Sequence, residues 1–231
     1  MCARVTLTIE DIDEIAETLD AELSPEDARR YKRRYNVAPS DTHWMLEYGA
    51  DRRVLLPAKW GYVPTSPQRG SGRARKPLIN VRGEQVGSGH GFREAFASRR
   101  CAVVTDGFFE WNERREPFWY HRPDGGLVLL GGLFQSGPDA EREPRFTVLT
   151  TRPNKLISAV HDRMPVIIPT LPAARLDDWL TAPPAQAAAL IAPAPEDALI
   201  ATPVSRRVNK VANDDAACLA PPEADAQGSL F

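Results

Sequence analysis

CAVVTDGFFEWNERREPFWYHRPDGGLVLLGGLF, residues 101–134, alternates short β-branched and aromatic runs with Asp, Asn, Gly and Pro. That is the pattern of strands joined by turns, not of helices. It predicts strands from Cys101 to Trp111, Phe118 to His121 and Leu127 to Phe134. Similar runs lie upstream around His43 to Tyr48, Arg53 to Leu56, Trp60 to Val63 and Leu78 to Val81, and downstream from Arg145 to Thr150. Short strands at this spacing predict an antiparallel sheet or barrel.

Helical intervals are confined to the flanks. Thr8 and Asp11 have capping-box spacing, and Ile12, Ile15, Ala16 and Leu19 follow as an apolar stripe, which predicts a helix from Thr8 to Leu19. Further helices are expected at Pro25 to Arg34, Leu171 to Leu180 and Ala185 to Ile191. The fold class is therefore α+β, a mainly antiparallel barrel-like core with flanking helices.

A chain of 231 residues, 42% hydrophobic and 26% charged, suits one folded domain, expected over 1–217. From Cys218 onward, Pro, Ala, Glu, Gln and Gly follow no period, which predicts a disordered tail over 218–231. No run reaches the roughly 18 apolar residues of a membrane span, and the N-terminus has no apolar signal core, so a cytoplasmic protein is expected; a monomer is expected as well. Cys2, Cys101 and Cys218 fit neither a disulfide framework nor a paired metal motif, and no metal or cofactor is implied. The net charge of −2 gives no global attraction to nucleic acid. Any such contact must come from a local basic face, for which the loop arginines Arg69, Arg73 and Arg75 are available; Arg29, Arg30, Lys32, Arg33 and Arg34 belong to the expected helical patch from Pro25.

Cys2 carries the sharpest chemistry. Removal of an initiator Met ahead of a small side chain leaves a 1,2-aminothiol, with an α-amine pKa near 8 and a thiol pKa near 8.5. An aldehyde condenses with the amine to an imine. The thiol then adds to that imine and closes a five-membered thiazolidine. On position alone, a cysteine behind a retained Met is an equal reading.

Five segments bear on that choice: MCARVTL (1–7), RYNVAPS (34–40), INVRGEQV (79–86), RRCAVVTDGFFEW (99–111) and HDRMPVII (161–168). With WG at 60–61 and VSxxVN at 204–209, they resemble the SOS response-associated peptidase (SRAP) family. Its patterns are MCGR, YNIAP, NARSE, RRCLVPADGFYEW and HDRMPVIL, and the resemblance runs from residue 2 to about residue 215. It implies covalent capture of abasic sites in single-stranded DNA through Cys2, with self-removal of Met1 and lyase activity as side reactions. It assigns Asn80 to holding geometry, Glu110 to moving protons and His161 to opening the sugar ring. It makes Arg4 and Arg82 phosphate ligands and Trp60 and Trp111 stacking platforms. Without the resemblance, Asn80 reads as a turn residue, Glu110 as an edge-strand carboxylate, His161 as a turn cap beside Asp162, and both tryptophans as core.

The chain departs from the pattern at Ala3, at Val81, at Phe109 and after Trp60, where no second tryptophan follows. Enlargement at Ala3 or Val81 is expected to narrow the site. The C-terminal Gln227-Gly228-Ser229-Leu230-Phe231 resembles the QLxLF peptide that binds the bacterial sliding clamp, with Gln227, Leu230 and Phe231 as contacts. Two other function classes fit an exposed Cys2 or a basic face: an N-terminal nucleophile amidohydrolase or peptidase, and a non-covalent single-strand-binding adaptor.

Overall fold

The structure is a computed structural model that describes residues 2–64, 76–87, 91–136, 143–170 and 172–223. Its strands are β1 (Val5–Leu7), β2 (Ala21–Leu23), β3 (Arg34–Val37), β4 (Thr42–Tyr48), β5 (Arg53–Trp60), β6 (Asn80–Arg82) and β7 (Arg100–Thr105). They continue as β8 (Gly107–Trp111), β9 (Pro117–His121), β10 (Val128–Gln135), β11 (Arg145–Thr151), β12 (Met164–Pro165), β13 (Ile167–Ile168) and β14 (Ile200–Pro203). The helices are short: α1 (Ile12–Thr18), α2 (Pro25–Ala28), α3 (Arg93–Ser98), α4 (Lys155–Ser158), α5 (Ala173–Thr181) and α6 (Pro184–Ala188).

The expected α+β barrel is present. Neighbours run β5-β4-β7-β10-β11, and a further pairing of β11 with β5 closes these five strands into a ring. The ring is not wholly antiparallel, because β11–β5, β11–β6 and β2–β5 are parallel. Met45, Ala58, Trp60, Val103, Leu130, Phe146 and Val148 belong to one apolar cluster. The alternate residues Leu46, Leu55, Ala102, Val104, Leu129 and Leu149 belong to a second, which includes Ile15 of α1, Phe96 of α3 and Trp179 of α5. Both faces of β7 are thus covered, and all six of its residues are buried. That is why its central residues, Cys101 to Val104, are a continuous apolar run with no alternation.

A second sheet, β14-β9-β8-β1-β3, stands beside the ring and is antiparallel throughout. The predicted single strand from Cys101 to Trp111 is two, and the chain changes sheet at Asp106. The Asp106 carboxylate accepts from the Thr6 hydroxyl at 2.5 Å, the Thr8 amide at 2.5 Å and the Thr8 hydroxyl at 2.6 Å. These bonds hold β1 against the crossing point. Gly107 is required there, since a Cβ would lie 2.1 Å from the Trp119 indole nitrogen.

Three other expectations change. Thr8 is committed to Asp106, so α1 starts later and its cap is Asp11, which accepts from the Asp13 amide at 2.9 Å. The helix from Pro25 ends at Ala28, because Arg34 is drawn into β3 opposite Leu7. The packed chain also continues past residue 217. Ala216–Leu219 forms a 3-10 turn with Cys218 buried against Phe109, Val204 and Val208, so any tail begins later than Cys218.

Candidate active site at the start of strand β1

Cys2 lies just ahead of β1, whose pairing with β8 sets Val5 opposite Phe108 and Thr6 opposite Gly107. The Phe109 amide donates to the Arg4 carbonyl at 3.0 Å, which extends that register toward the chain start. Continuing it brings Ala3 opposite Glu110 and Cys2 alongside. Cys2 is fully buried, with its thiol 3.9 Å from the Arg4 carbonyl. Glu110 shares a strand face with Phe108 and is only 3% exposed, so it is no solvated edge-strand carboxylate.

Asn80 and His161 reach the same place from opposite edges of β11. On one edge β6 runs parallel to β11, pairing Asn80 with Val148 and Arg82 with Thr150. On the other edge β12 pairs Met164 with Thr151 and Pro165 with Thr150. The Asn80 amide donates to the Cys2 carbonyl at 2.8 Å, while its Oδ1 is buried and finds no hydrogen-bond partner among the described residues. His161 follows α4, which Asn154 caps by accepting from the Ile157 amide at 3.0 Å, and the His161 amide donates back to the Ile157 carbonyl at 2.9 Å.

Electrostatics couple these groups. Burial pushes the Cys2 thiol far above its ordinary range, and the nearby Glu110 charge adds to the effect. A buried thiol of this kind is neutral and needs a base before it can attack. Burial also raises the Glu110 carboxyl to about 7, opposed by the positive chain terminus and helped by Asp162. Such a group can take and return a proton near neutral pH. Tyr120, stacked on Phe108 at 5.3 Å, is pushed up to about 12 by burial and by Glu110. His161 is lowered, first by burial and then by the positive terminus. In the neutral ring Nδ1 accepts from the Arg163 amide at 3.0 Å, so the proton belongs on Nε2. The same Nδ1 lies 2.9 Å from Asp162 Oδ1, a contact that becomes the turn pair expected from sequence when the ring takes its second proton.

The expected nucleic-acid contacts divide. Arg82 is exposed. Arg4 donates to Asn36 Oδ1 at 3.2 Å and to the Val208 carbonyl at 2.9 Å, with its guanidinium 5.7 Å from the centroid of the Trp111 ring. Trp111 is partly exposed and donates to Asn209 Oδ1 at 2.6 Å, so its ring is held at the surface. Trp60 is a correction. It is 1% exposed, donates to the Ile79 carbonyl at 2.9 Å and stacks on Phe146, which places it in the ring interior, away from any base. Val81 is a second correction, because it packs in the helix-covered cluster and does not narrow the site. Arg69, Arg73 and Arg75, together with Gln227, Leu230 and Phe231, lie outside the described residues.

Sequence reading missed the groups that hold the site together. Arg163 donates to both Glu84 oxygens, at 2.9 and 2.7 Å, and to the Thr150 carbonyl at 2.5 Å. This ties the segment bearing His161 to the segment bearing Asn80. Asn36 is fully buried and donates to the carbonyls of Val208, Lys210 and Asn213. Both residues sit inside the motifs quoted above, but only their buried partners, distant in sequence, reveal what they do. Among the described residues no group of His, Cys, Asp and Glu side chains could hold a metal ion. Nor is any described helix long and apolar enough to cross a membrane.

Comparison with known proteins shows the family. Residues 1–211 match the model of the SOS response associated peptidase (SRAP) family. The abasic site processing protein YoqW of Bacillus subtilis is 31% identical over 175 residues, covering 73% of this chain and 76% of that protein. The abasic site processing protein YedK of Escherichia coli is 29% identical over 199 residues, covering 81% and 84%. Among solved structures, a protein from Bacteroides thetaiotaomicron superposes with a TM-score of 0.78 at 19% identity, covering 95% of this chain and 99% of that one. That last likeness concerns the fold alone.

Proposed function

The chain belongs to the SOS response-associated peptidase family, and from that premise we propose that it captures abasic sites in single-stranded DNA by forming a thiazolidine at Cys2. The observation that carries the reading is the placement of one carboxyl with a pKa of about 7 beside a buried cysteine whose carbonyl is held by Asn80. Relatives named as abasic site processing proteins support it. The α+β ring with short helices, in place of a stacked αββα sandwich, weighs against an N-terminal nucleophile amidohydrolase.

Four steps follow. Hydrolysis of the Met1–Cys2 amide frees the α-amine. Ring opening breaks the C1′–O4′ bond of the abasic sugar: the protonated His161 ring gives its Nε2 proton to O4′ and is left neutral, and Glu110 removes the proton from the C1′ hydroxyl, unmasking the aldehyde. The amine of Cys2 adds to that carbonyl and water leaves, giving an imine. The thiol then adds across the C=N bond, its proton passing through Glu110 to the nitrogen, and the ring closes. The Asn80 amide fixes the Cys2 backbone so that amine and sulfur face one carbon, which is a gain in proximity. β-Elimination from the imine gives a lyase side reaction wherever closure is slow.

Arg4, Arg82 and Trp111 contact backbone and base faces without reading sequence, as a lesion lacking a base requires. The C-terminal Gln227, Leu230 and Phe231 bind the sliding clamp and raise the local concentration of the chain at replication forks. Incubation with an oligonucleotide bearing one abasic site tests the proposal. A heat-stable adduct whose mass equals chain without Met1, plus DNA, minus water, is expected. Glutamine turnover without an adduct, or a complex that denaturant abolishes, overturns it.

A further inference from the structure

The connector between α2 and β3 concentrates charge that the chemistry above does not use. Arg29, Arg30, Lys32, Arg33 and Arg34 are five cations within six residues of a chain whose net charge is −2. Arg30, Lys32 and Arg34 line a groove of about 170 Å³ together with Thr42, His43, Trp44 and Pro57. Arg34 is clamped between Asp41 at 2.8 Å and Asp214, so it forms a fixed wall. The others are loosely held. Arg30, itself exposed, lies 3.4 Å from the half-buried Asp27, and Arg33 lies 3.9 Å from Glu10. Among the described residues no carboxylate is within ion-pair distance of Lys32. Pairs of this kind contribute little and exchange readily for another anion.

The floor of the groove is apolar. Trp44 and Pro57 are cross-strand partners in β4 and β5, and Tyr31 braces the Trp44 ring edge-on at 5.8 Å. Of the remaining polar groups, the Thr42 hydroxyl donates to Glu143 at 2.7 Å. His43 is buried against the Val104 carbonyl at 2.7 Å, and burial lowers its pKa to about 4, so it stays neutral. Cations on the rim over an aromatic and proline floor suit a sugar-phosphate chain better than a lone inorganic ion.

The position in the fold names the partner. β1 and β3 form one ladder, with Val5 opposite Val37 and Leu7 opposite Arg34. Cys2 lies off one end and the groove off the other, five residues or roughly 17 Å away along the ladder. We propose that this groove is a second phosphodiester contact for single-stranded DNA, holding the strand a few nucleotides from the residue captured at Cys2. The inference rests on the capture reading above and adds a surface to it.

Lesion-free single strands test it, because their binding does not depend on the covalent step. The full chain and its Arg30→Glu/Lys32→Glu variant are titrated with an oligonucleotide of roughly 20 nucleotides and with one of roughly 4. For the long strand the variant should bind at least about fivefold more weakly, and its log–log salt slope should be shallower by about 1.4, the value for two lost phosphate contacts. The short strand should bind both proteins alike, and Arg30→Lys/Lys32→Arg should restore the long-strand affinity. Equal affinity and slope for the long strand overturns the proposal. An equal loss for both strands overturns it too, as does polyglutamate binding the parent chain as tightly as DNA. A chain that binds lesion-free strands yet forms no adduct with an abasic strand overturns the capture reading alone.

Discussion

The side-chain amide of Asn80 donates to the carbonyl of Cys2 across 2.8 Å while its own oxygen is buried and accepts nothing among the described residues. One half of the amide therefore fixes the protein, and the other half is left for a donor that arrives with the substrate. The sugar hydroxyl, or the carbinolamine hydroxyl formed from it, is such a donor. Asn80→Ala should slow capture about tenfold or more, because the Cys2 carbonyl loses its partner at a cost of about 1–3 kcal/mol. Single-turnover adduct formation at saturating DNA measures it.

Cys2→Ser keeps the α-amine and removes the sulfur. The heat-stable adduct should vanish, while borohydride still traps an imine of the same DNA. Gel mobility with and without borohydride separates the two species. A heat-stable adduct from the serine variant contradicts ring closure through sulfur.

Glu110 links rate to pH and to stability. With its carboxyl at about 7, the base-dependent rate should fall as pH drops through 7 and level off above it. Glu110→Gln should lower the rate about 10²–10⁴-fold and remove that inflection. The stability sign follows from the same shift. The folded state binds the proton more tightly than the unfolded chain, so the stabilisation is present below the ordinary carboxyl pKa of 4.5 and is lost as pH rises toward about 7. Relative to the parent, Glu110→Gln should therefore melt higher at pH 8, and the gap should close toward pH 5. Thermal melts across that range check it.

Arg100 has no carboxylate partner among the described residues. It donates instead to the carbonyls of Phe96 and Ala97 at the end of α3, and to those of Trp179, Leu180 and Ala182 at the end of α5. Two helix ends with partial negative charge share one cation. Arg100→Met should cost about 3 kcal/mol or more through stranded carbonyls, and lower the melting temperature by roughly 6–12 °C. Adduct formation at low temperature should persist.

Deleting residues 227–231 should abolish association with the sliding clamp in a pull-down while leaving capture of a free abasic oligonucleotide unchanged. Clamp binding that survives the deletion assigns the contact elsewhere.

The ring strands were legible in sequence because β-branched runs bounded by turn residues report local backbone preference directly. Asp106 was not. Its role as the point where one strand passes between sheets depends on Thr6 and Thr8, a hundred residues away, and no local pattern encodes that. Cys2 stood out by its position behind the initiator Met, whereas Asn80, Glu110 and His161 were named only through the family resemblance; Glu110 is buried beside Cys2. Trp60 was misread because a strand tryptophan looks the same whether its face meets a base or the Phe146 ring. Asn36 and Arg163 were missed because their partners are carbonyls and a carboxylate from distant segments.

The parallel attachment of β6 to β11 has an evolutionary corollary. Asn80 is held in register by its lateral neighbour Val148. Sequences descended from a common ancestor can thus diverge elsewhere, and the amide facing Cys2 stays where it was for as long as the β6–β11 pairing is kept.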